Sequence, residues 1–339
     1  MKHTQKKPED MSQEEMMKEV RKIFKERGCK TLEMARKEVL EEEIECKEVR
    51  EALRYFMTEY WHDLSRAALL SLCCEALGGD PDATIPVAIP LSLIGGGVDI
   101  HDDLIDQSKT KEGRPTVYGK FGKEIALLVG DALLFKGFTL LSHNTKVCFG
   151  EKMLEIMGVV KDTFFELGES EALELEFRGR LDVAPEKYLS MVKMRAANVE
   201  ADARIGATIG GGKEVEVEAF GEYGKALGML LIIRDDFVDM FEKEELSHRI
   251  HSECLPLPLL CALQNPSIKN ELVPMIEGKA AFDLNTILDA VLESGEVKNL
   301  KEFIANMIKE NILLLEKLDI DESIRFELKL LLLAAGKGL

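Results

Sequence analysis

The chain lacks several features that would assign it to a large class of protein. Positive charge is scarce: 44 Lys and Arg stand against 62 Asp and Glu, a net charge of −18. So acidic a surface repels a phosphate backbone, which argues against nucleic acid as a partner. A phosphorylated small molecule stays open, because a bridging cation inverts the local sign. The longest apolar runs, such as the one at Leu328–Ala335 with Lys329 inside it, fall well short of the roughly 20 residues that cross a bilayer, so no transmembrane segment is expected. The charged N-terminus carries no apolar h-region, and the expectation is a cytoplasmic protein. The seven cysteines are odd in number and show no Cys-x-x-Cys spacing. They imply reduced core thiols, with neither a disulfide framework nor a zinc site. Sustained period-two alternation is missing, as are a Ser/Pro-rich linker and a clean internal repeat. The glycine runs Gly95–Gly97 and Gly210–Gly212 lack the Lys-Ser/Thr of a P-loop.

What is present is helical pattern. From Glu14 to Tyr60 the chain is rich in Glu, Lys, Arg, Met and Leu, all strong helix formers. Comparable segments follow at roughly 64–77, 83–107, 121–141, 151–178, 185–210, 214–242, 255–264, 280–293, 298–317 and 321–336. Turn chemistry separates them at Gly78–Pro81, Gly113–Pro115, Gly210–Gly212 and Asn265–Pro266. With 46% hydrophobic residues there is material for a sizeable core. The expectation is a frayed polar terminus over 1–12 and one all-α helical bundle over 13–339.

Two aspartate clusters punctuate long apolar segments. Asp102-Asp103-Leu104-Ile105-Asp106 follows Leu91–Ile100, and Asp235-Asp236-Phe237-Val238-Asp239 follows Met229–Ile233. On a helix, residues four apart lie one above the other, so Asp102 and Asp106 share a face, as do Asp235 and Asp239. Each cluster sits late in its helix, where the macrodipole disfavours negative charge by up to about 1 kcal/mol. Like charges at that spacing add a similar cost. A solvated acidic helix end is one explanation. A hard divalent cation is the other, since it removes both costs, and Mg²⁺ typically takes one or two carboxylates plus substrate phosphate oxygens. Two such clusters facing one another would clamp a diphosphate.

With its surroundings, the first cluster resembles the first aspartate-rich region of the trans-isoprenyl diphosphate synthases, the polyprenyl synthetase family. Those surroundings are Gly113-Arg114-Pro115-Thr116-Val117 and Gly130-Asp131-Ala132-Leu133-Leu134. Arg234 through Asp239 resembles the second region. Cys74–Gly79, Glu169–Phe177, Arg204–Ala207 and Leu257-Pro258-Leu259 also match family segments in order, so the likeness runs from about residue 50 to 330. It implies the all-α class I isoprenoid synthase fold, a bundle around a central cavity, usually a homodimer. It further implies that Asp102, Asp103, Asp106, Asp235, Asp236 and Asp239 hold Mg²⁺, three ions with substrate bound, against the diphosphate of an allylic prenyl substrate. Ionisation would give an allylic cation, which isopentenyl diphosphate attacks. Arg66, Lys111, Arg114, Glu171, Lys193, Arg195 and Arg234 fall where the family contacts substrate.

The departures from the family pattern concern positive charge. A Gly-Gly-Lys-Arg-x-Arg-Pro segment is usual where this chain reads Trp61-His62-Asp63-Leu64-Ser65-Arg66-Ala67, so Arg66 persists while Asp63 and Leu64 replace two cations. The family's Arg-Arg pair becomes Lys111-Glu112, its Lys-Thr becomes Met194-Arg195 beside Lys193, and a later Lys aligns with Cys254. The Lys usual after the second cluster has no clear counterpart, with Arg249 the nearest substitute. A diphosphate needs such partners, so the isopentenyl site is expected to suffer more than the metal site. Gly95-Gly96-Gly97 falls mid-helix at about 1 kcal/mol per Gly relative to Ala. The glycines serve close helix packing, or their missing side chains open a tail tunnel whose floor is Gly97, Val98 and Asp99, wide enough for a C20 tail. His101 reads as a hydrogen-bonded support, and His248 and His251 lack a third ligand.

Three functions fit these residues. One is a prenyltransferase that extends an allylic diphosphate with isopentenyl diphosphate. The second is a class I cyclase or lyase acting on one prenyl diphosphate. The third is a non-catalytic regulatory subunit that forms a heteromer with a catalytic homologue.

Overall fold

The computed structural model describes residues 6–111, 113–337 and 339. Helices dominate, and the only strands among the described residues are Thr110–Lys111 and Arg114–Pro115, paired antiparallel with Lys111 opposite Arg114. The residues divide into two compact units. One comprises 1–20, 160–201 and 218–339, and the other 21–159 and 202–217. They are called here the second-cluster unit and the first-cluster unit.

In the first-cluster unit the central pair is Ile85–Ile105 and Lys123–Cys148. Glycine lets them approach closely. A Cβ on Gly97 would stand 2.9 Å from the Gly130 carbonyl oxygen, and one on Gly137 would stand 2.9 Å from that of Pro90. Phe56 and Trp61 stack at 5.8 Å, and a Cβ on Gly96 would meet Phe56 at 2.9 Å. Around them pack Leu53, Leu93, Ile100, Val129 and Leu133. The helical stretch expected over 14–60 is interrupted. Gln13–Leu40 ends before Glu41-Glu42-Glu43, and a new helix begins at Lys47. It closes in a π turn, Phe56–Tyr60, in which the Trp61 amide reaches the Phe56 carbonyl at 2.8 Å.

In the second-cluster unit the helices are Pro185–Arg195, Lys243–Ser252, Leu257–Ala262, Pro266–Ile276, Leu284–Glu293, Gly295–Lys317 and Glu322–Gly336. Asn265, Asp283, Ser294 and Asp321 cap four of them, each side chain accepting a backbone amide of the first turn. Gln13–Leu40, Met153–Phe177, Ala197–Ile209 and Glu214–Asp239 contribute residues to both units. Fully buried Tyr223 donates to the Leu328 carbonyl at 2.8 Å, tying Glu214–Asp239 to the last helix. The sequence pattern gave no separate helices at Lys243–Ser252 or Pro266–Ile276. The first is short and strongly polar, and the second carries Pro274 in its interior.

Counting uninterrupted apolar runs missed one property. Pro81–Ile105 and Lys123–Cys148 are each long and apolar enough to cross a membrane by length and hydropathy. Isolated Ser, Asp, His and Lys break their runs without lowering the average much. Most of the first is buried inside the protein and less of the second, which leaves Leu127, Leu128 and Phe135 exposed.

Candidate active site

The first cluster forms because its helix runs apolar to Ile100 and then ends. Asp106 caps it, its amide bonding the Asp102 carbonyl at 2.8 Å, and Gln107 follows in the left-handed region at φ 56°. The short hairpin then folds back. Thr116 accepts the Gly119 amide and donates to the Ser108 carbonyl at 2.8 Å. Tyr55 donates to the Pro115 carbonyl at 2.6 Å. This hairpin carries Lys111, whose ammonium lies 4.0 Å from Asp103, and Arg114, which sits over the Tyr60 ring at 5.8 Å. Glu112 lies outside the described residues.

Asp103 is buried, at 5% exposure. Burial pushes its pKa up to about 6; Lys111 opposes the rise, and Asp99 and Asp106 add to it. The donor set is hard carboxylate oxygen, which suits Mg²⁺. Asp99, whose surface reaches solvent but whose carboxyl is crowded by protein atoms, also rises above the ordinary range, first through that desolvation, with Lys111 pulling down and Asp63 pushing up. His101 stands beside the cluster, its Nε2 3.4 Å from Asp131. Gly97 is taken up by helix packing, which leaves half-buried Val98 and exposed Asp99 for the expected tunnel floor.

Arg66, from the start of helix Ser65–Ala76, ion-pairs with buried Asp202 at 3.1 Å. Burial opposes its charge, but Asp202, Asp63 and Asp99 together raise its pKa. Asp202 in turn is pushed up to about 7, by burial first and against the pull of Arg66. Arg66 thus faces three carboxylates.

In the second-cluster unit the aspartates have separate surroundings. Asp235 is exposed, with Arg234 at 3.3 Å. Asp236, at 1% exposure, accepts from Arg249 at 2.8 Å and from Tyr188 at 3.0 Å on one oxygen, and from the Leu257 amide at 3.2 Å on the other. Asp239 accepts from the other arm of Arg249 at 2.8 Å, and burial lifts its pKa to about 6 despite that cation. Arg195 pairs with Glu174 and lies 3.6 Å from Glu171, while Lys193 is exposed.

Within the first-cluster unit, then, Asp99, Arg66 and Lys111 join the first aspartate group electrostatically. Within the other, Arg249 joins Asp236 and Asp239. Tyr188, Asp202 and the fork of Arg249 onto both aspartates were not legible in the sequence. The available signals were a lone carboxylate between alanines, Ala201-Asp202-Ala203, and one arginine in a stretch where a lysine was sought. Among the described residues no three His, Cys, Asp or Glu side chains converge closely enough to hold a metal by themselves. A metal at the first cluster would therefore complete its shell with phosphate or water oxygens.

A family model described as polyprenyl synthetase matches residues 47–291. A short chain isoprenyl diphosphate synthase of Methanothermobacter thermautotrophicus is 36% identical over 181 residues, 53% of this chain and 55% of the relative. A geranylgeranyl diphosphate synthase of Methanosarcina mazei is 33% identical over 212 residues, 62% of this chain and 64% of the relative. The chain thus spans little more than half the length of these relatives. Among solved structures, a geranylgeranyl pyrophosphate synthetase from Pyrococcus horikoshii superposes with a TM-score of 0.81 at 24% identity, covering 94% of this chain and 99% of that one. That likeness shows the all-α isoprenoid synthase fold.

Proposed function

The chain belongs to the polyprenyl synthetase family, and on that premise we propose that it is a Mg²⁺-dependent prenyltransferase that ionises an allylic prenyl diphosphate and joins it to isopentenyl diphosphate. The observation that carries this reading is Asp103. It is a buried carboxylate between two further aspartates, with one lysine at 4.0 Å and a pKa raised to about 6. Mg²⁺ bound there supplies charge withdrawal from the diphosphate leaving group. One or two of Asp102, Asp103 and Asp106 would ligate the ion, with phosphate and water oxygens completing the shell.

The protein's own residues then act at two places. Lys111 and Arg114, on the hairpin after the cluster, face the diphosphate with positive charge as the allylic C–O bond breaks. Val98 and Asp99 line the path of the tail. The C1 cation then takes the electron pair of the isopentenyl double bond, and a proton leaves the adjacent carbon to restore an alkene.

A second reading has a specific observation in its favour. Arg66, at the place where the family meets its second diphosphate, is paired with Asp202 and flanked by Asp63 and Asp99. That surrounding disfavours another anion and suits a lyase or cyclase acting on one prenyl diphosphate.

One experiment separates the two. The protein is incubated with Mg²⁺ and C10, C15 or C20 allylic diphosphates, with and without isopentenyl diphosphate, and products are identified by mass spectrometry. Elongation only when isopentenyl diphosphate is present is the expected result. Diphosphate release without it favours the second reading. No turnover with any substrate rejects both.

A further inference from the structure

This inference rests on the reading above and concerns the second aspartate cluster, where sequence analogy puts a second metal-binding group. The three carboxylates there are in different states. Asp236 makes three hydrogen bonds: Oδ1 accepts from Arg249 Nη2 at 2.8 Å and Tyr188 Oη at 3.0 Å, and Oδ2 accepts the Leu257 amide at 3.2 Å. It is 1% exposed, so neither water nor an ion reaches it. Asp239 gives Oδ2 to Arg249 Nη1 at 2.8 Å.

One guanidinium therefore forks across two carboxylates one helical turn apart. It is itself braced, with Nε donating to the Cys254 carbonyl at 3.0 Å and lying 3.4 Å from Glu253. Glu253 is held in turn by His248 at 3.1 Å. An arginine does not give up its proton in a protein, so this charge is permanent. A divalent ion arriving at Asp239 would meet a fixed cation already bonded to both carboxylates. Only Asp235 remains outside the fork, exposed and beside Arg234. The residues at this cluster do not fit a metal of their own.

We propose that Arg249 is the resident counter-cation of the second aspartate cluster, so that in the substrate-free protein divalent metal binds at the first cluster and not at the second. Asp236 is then a structural carboxylate. It joins helix Glu214–Asp239 to Pro185–Arg195 through Tyr188, to Lys243–Ser252 through Arg249 and to Leu257–Ala262 through its first amide.

The test is a Mn²⁺ titration of the full chain without substrate, reading free ion by electron paramagnetic resonance. The wild type is expected to show one class of site. Asp102→Asn/Asp103→Asn should remove it, and Asp235→Asn/Asp239→Asn should change its affinity less than twofold. Arg249→Met should add a second class at least tenfold tighter than anything the wild type shows at this cluster, and adding Asp239→Asn should remove it again. If Arg249→Met does not fold, as judged by circular dichroism, the Asp235→Asn/Asp239→Asn comparison in the wild-type background decides alone. A wild type that loses a Mn²⁺ site through Asp235→Asn/Asp239→Asn overturns the proposal while leaving the functional reading intact. Loss of all Mn²⁺ binding at the first cluster, with none at the second, rejects the functional reading but not the assignment of Arg249.

Discussion

The two aspartate clusters read alike in sequence and differ in electrostatic state. At the first, Asp103 is buried with its nearest cation 4.0 Å away on an exposed lysine. At the second, a half-buried arginine lies 2.8 Å from both Asp236 and Asp239. The first has only a distant, exposed lysine beside its buried carboxylate, while the second already hydrogen-bonds a guanidinium to two carboxylates, although burial still lifts Asp239 to about 6. A motif of three acids thus specifies where carboxylates stand on a helix, not whether they are available. Availability is settled by which side chain the rest of the chain brings alongside.

Four measurements test the contrast between the clusters and their surroundings. Asp103→Asn should cut allylic diphosphate turnover by roughly a thousandfold, the scale of losing one electrostatic contact to a developing charge, as read by released diphosphate. A loss under tenfold would move the chemistry away from the first cluster. Asp236→Asn should cost about 1.5–3 kcal/mol of stability, because the half-buried arginine loses one charge-assisted partner while Asp239 and Glu253 stay beside it. Asp235→Asn should stay within about 0.5 kcal/mol. Calorimetric melting of both variants checks the pair, and equal effects would erase the distinction between them.

The third concerns pH. The folded pKa of Asp103 is about 6, above the ordinary carboxylate value. The folded state therefore binds more protons than the unfolded one between about pH 4 and 6, and stability falls as pH rises through that window. Above it, charged Asp103 costs about 1–3 kcal/mol, so Asp103→Asn should melt higher than wild type at pH 8 and match it at pH 4. A variant that melts lower at pH 8 would mean that Lys111 compensates the carboxylate fully. The fourth is Asp202→Asn, which removes the charge that pairs with Arg66. It should tighten isopentenyl diphosphate binding by about tenfold, one charge-assisted contact regained, as measured by calorimetric titration. No change would show that Asp63 and Asp99 alone keep the anion out.

Much of the architecture was legible because helix signals are local. The apolar runs before both clusters, the break at Asn265-Pro266 and the glycines at turns depend on residues within a few positions of one another. The missed break at 41–46 follows from a composition of helix formers that hid three consecutive glutamates. The extra helices at 243–252 and 266–276 were missed because one is almost wholly polar and the other contains a proline. The glycine run was ambiguous in sequence, and its neighbours decide it: Gly96 and Gly97 leave room for Phe56 and for the facing helix backbone.

By itself, the sequence determined that this protein is helical, that six aspartates stand at two helix ends, and that its basic residues depart from the family pattern. Those are matters of period, spacing and identity, written within one or two turns of chain. Tertiary structure alone decided that Arg66 is paired with Asp202, 136 positions away, and that Arg249 and Tyr188 close on Asp236 from separate helices. Ion pairing acts over a few ångströms of space, not along the chain, so no motif in one segment can announce the charge that another segment will bring to it.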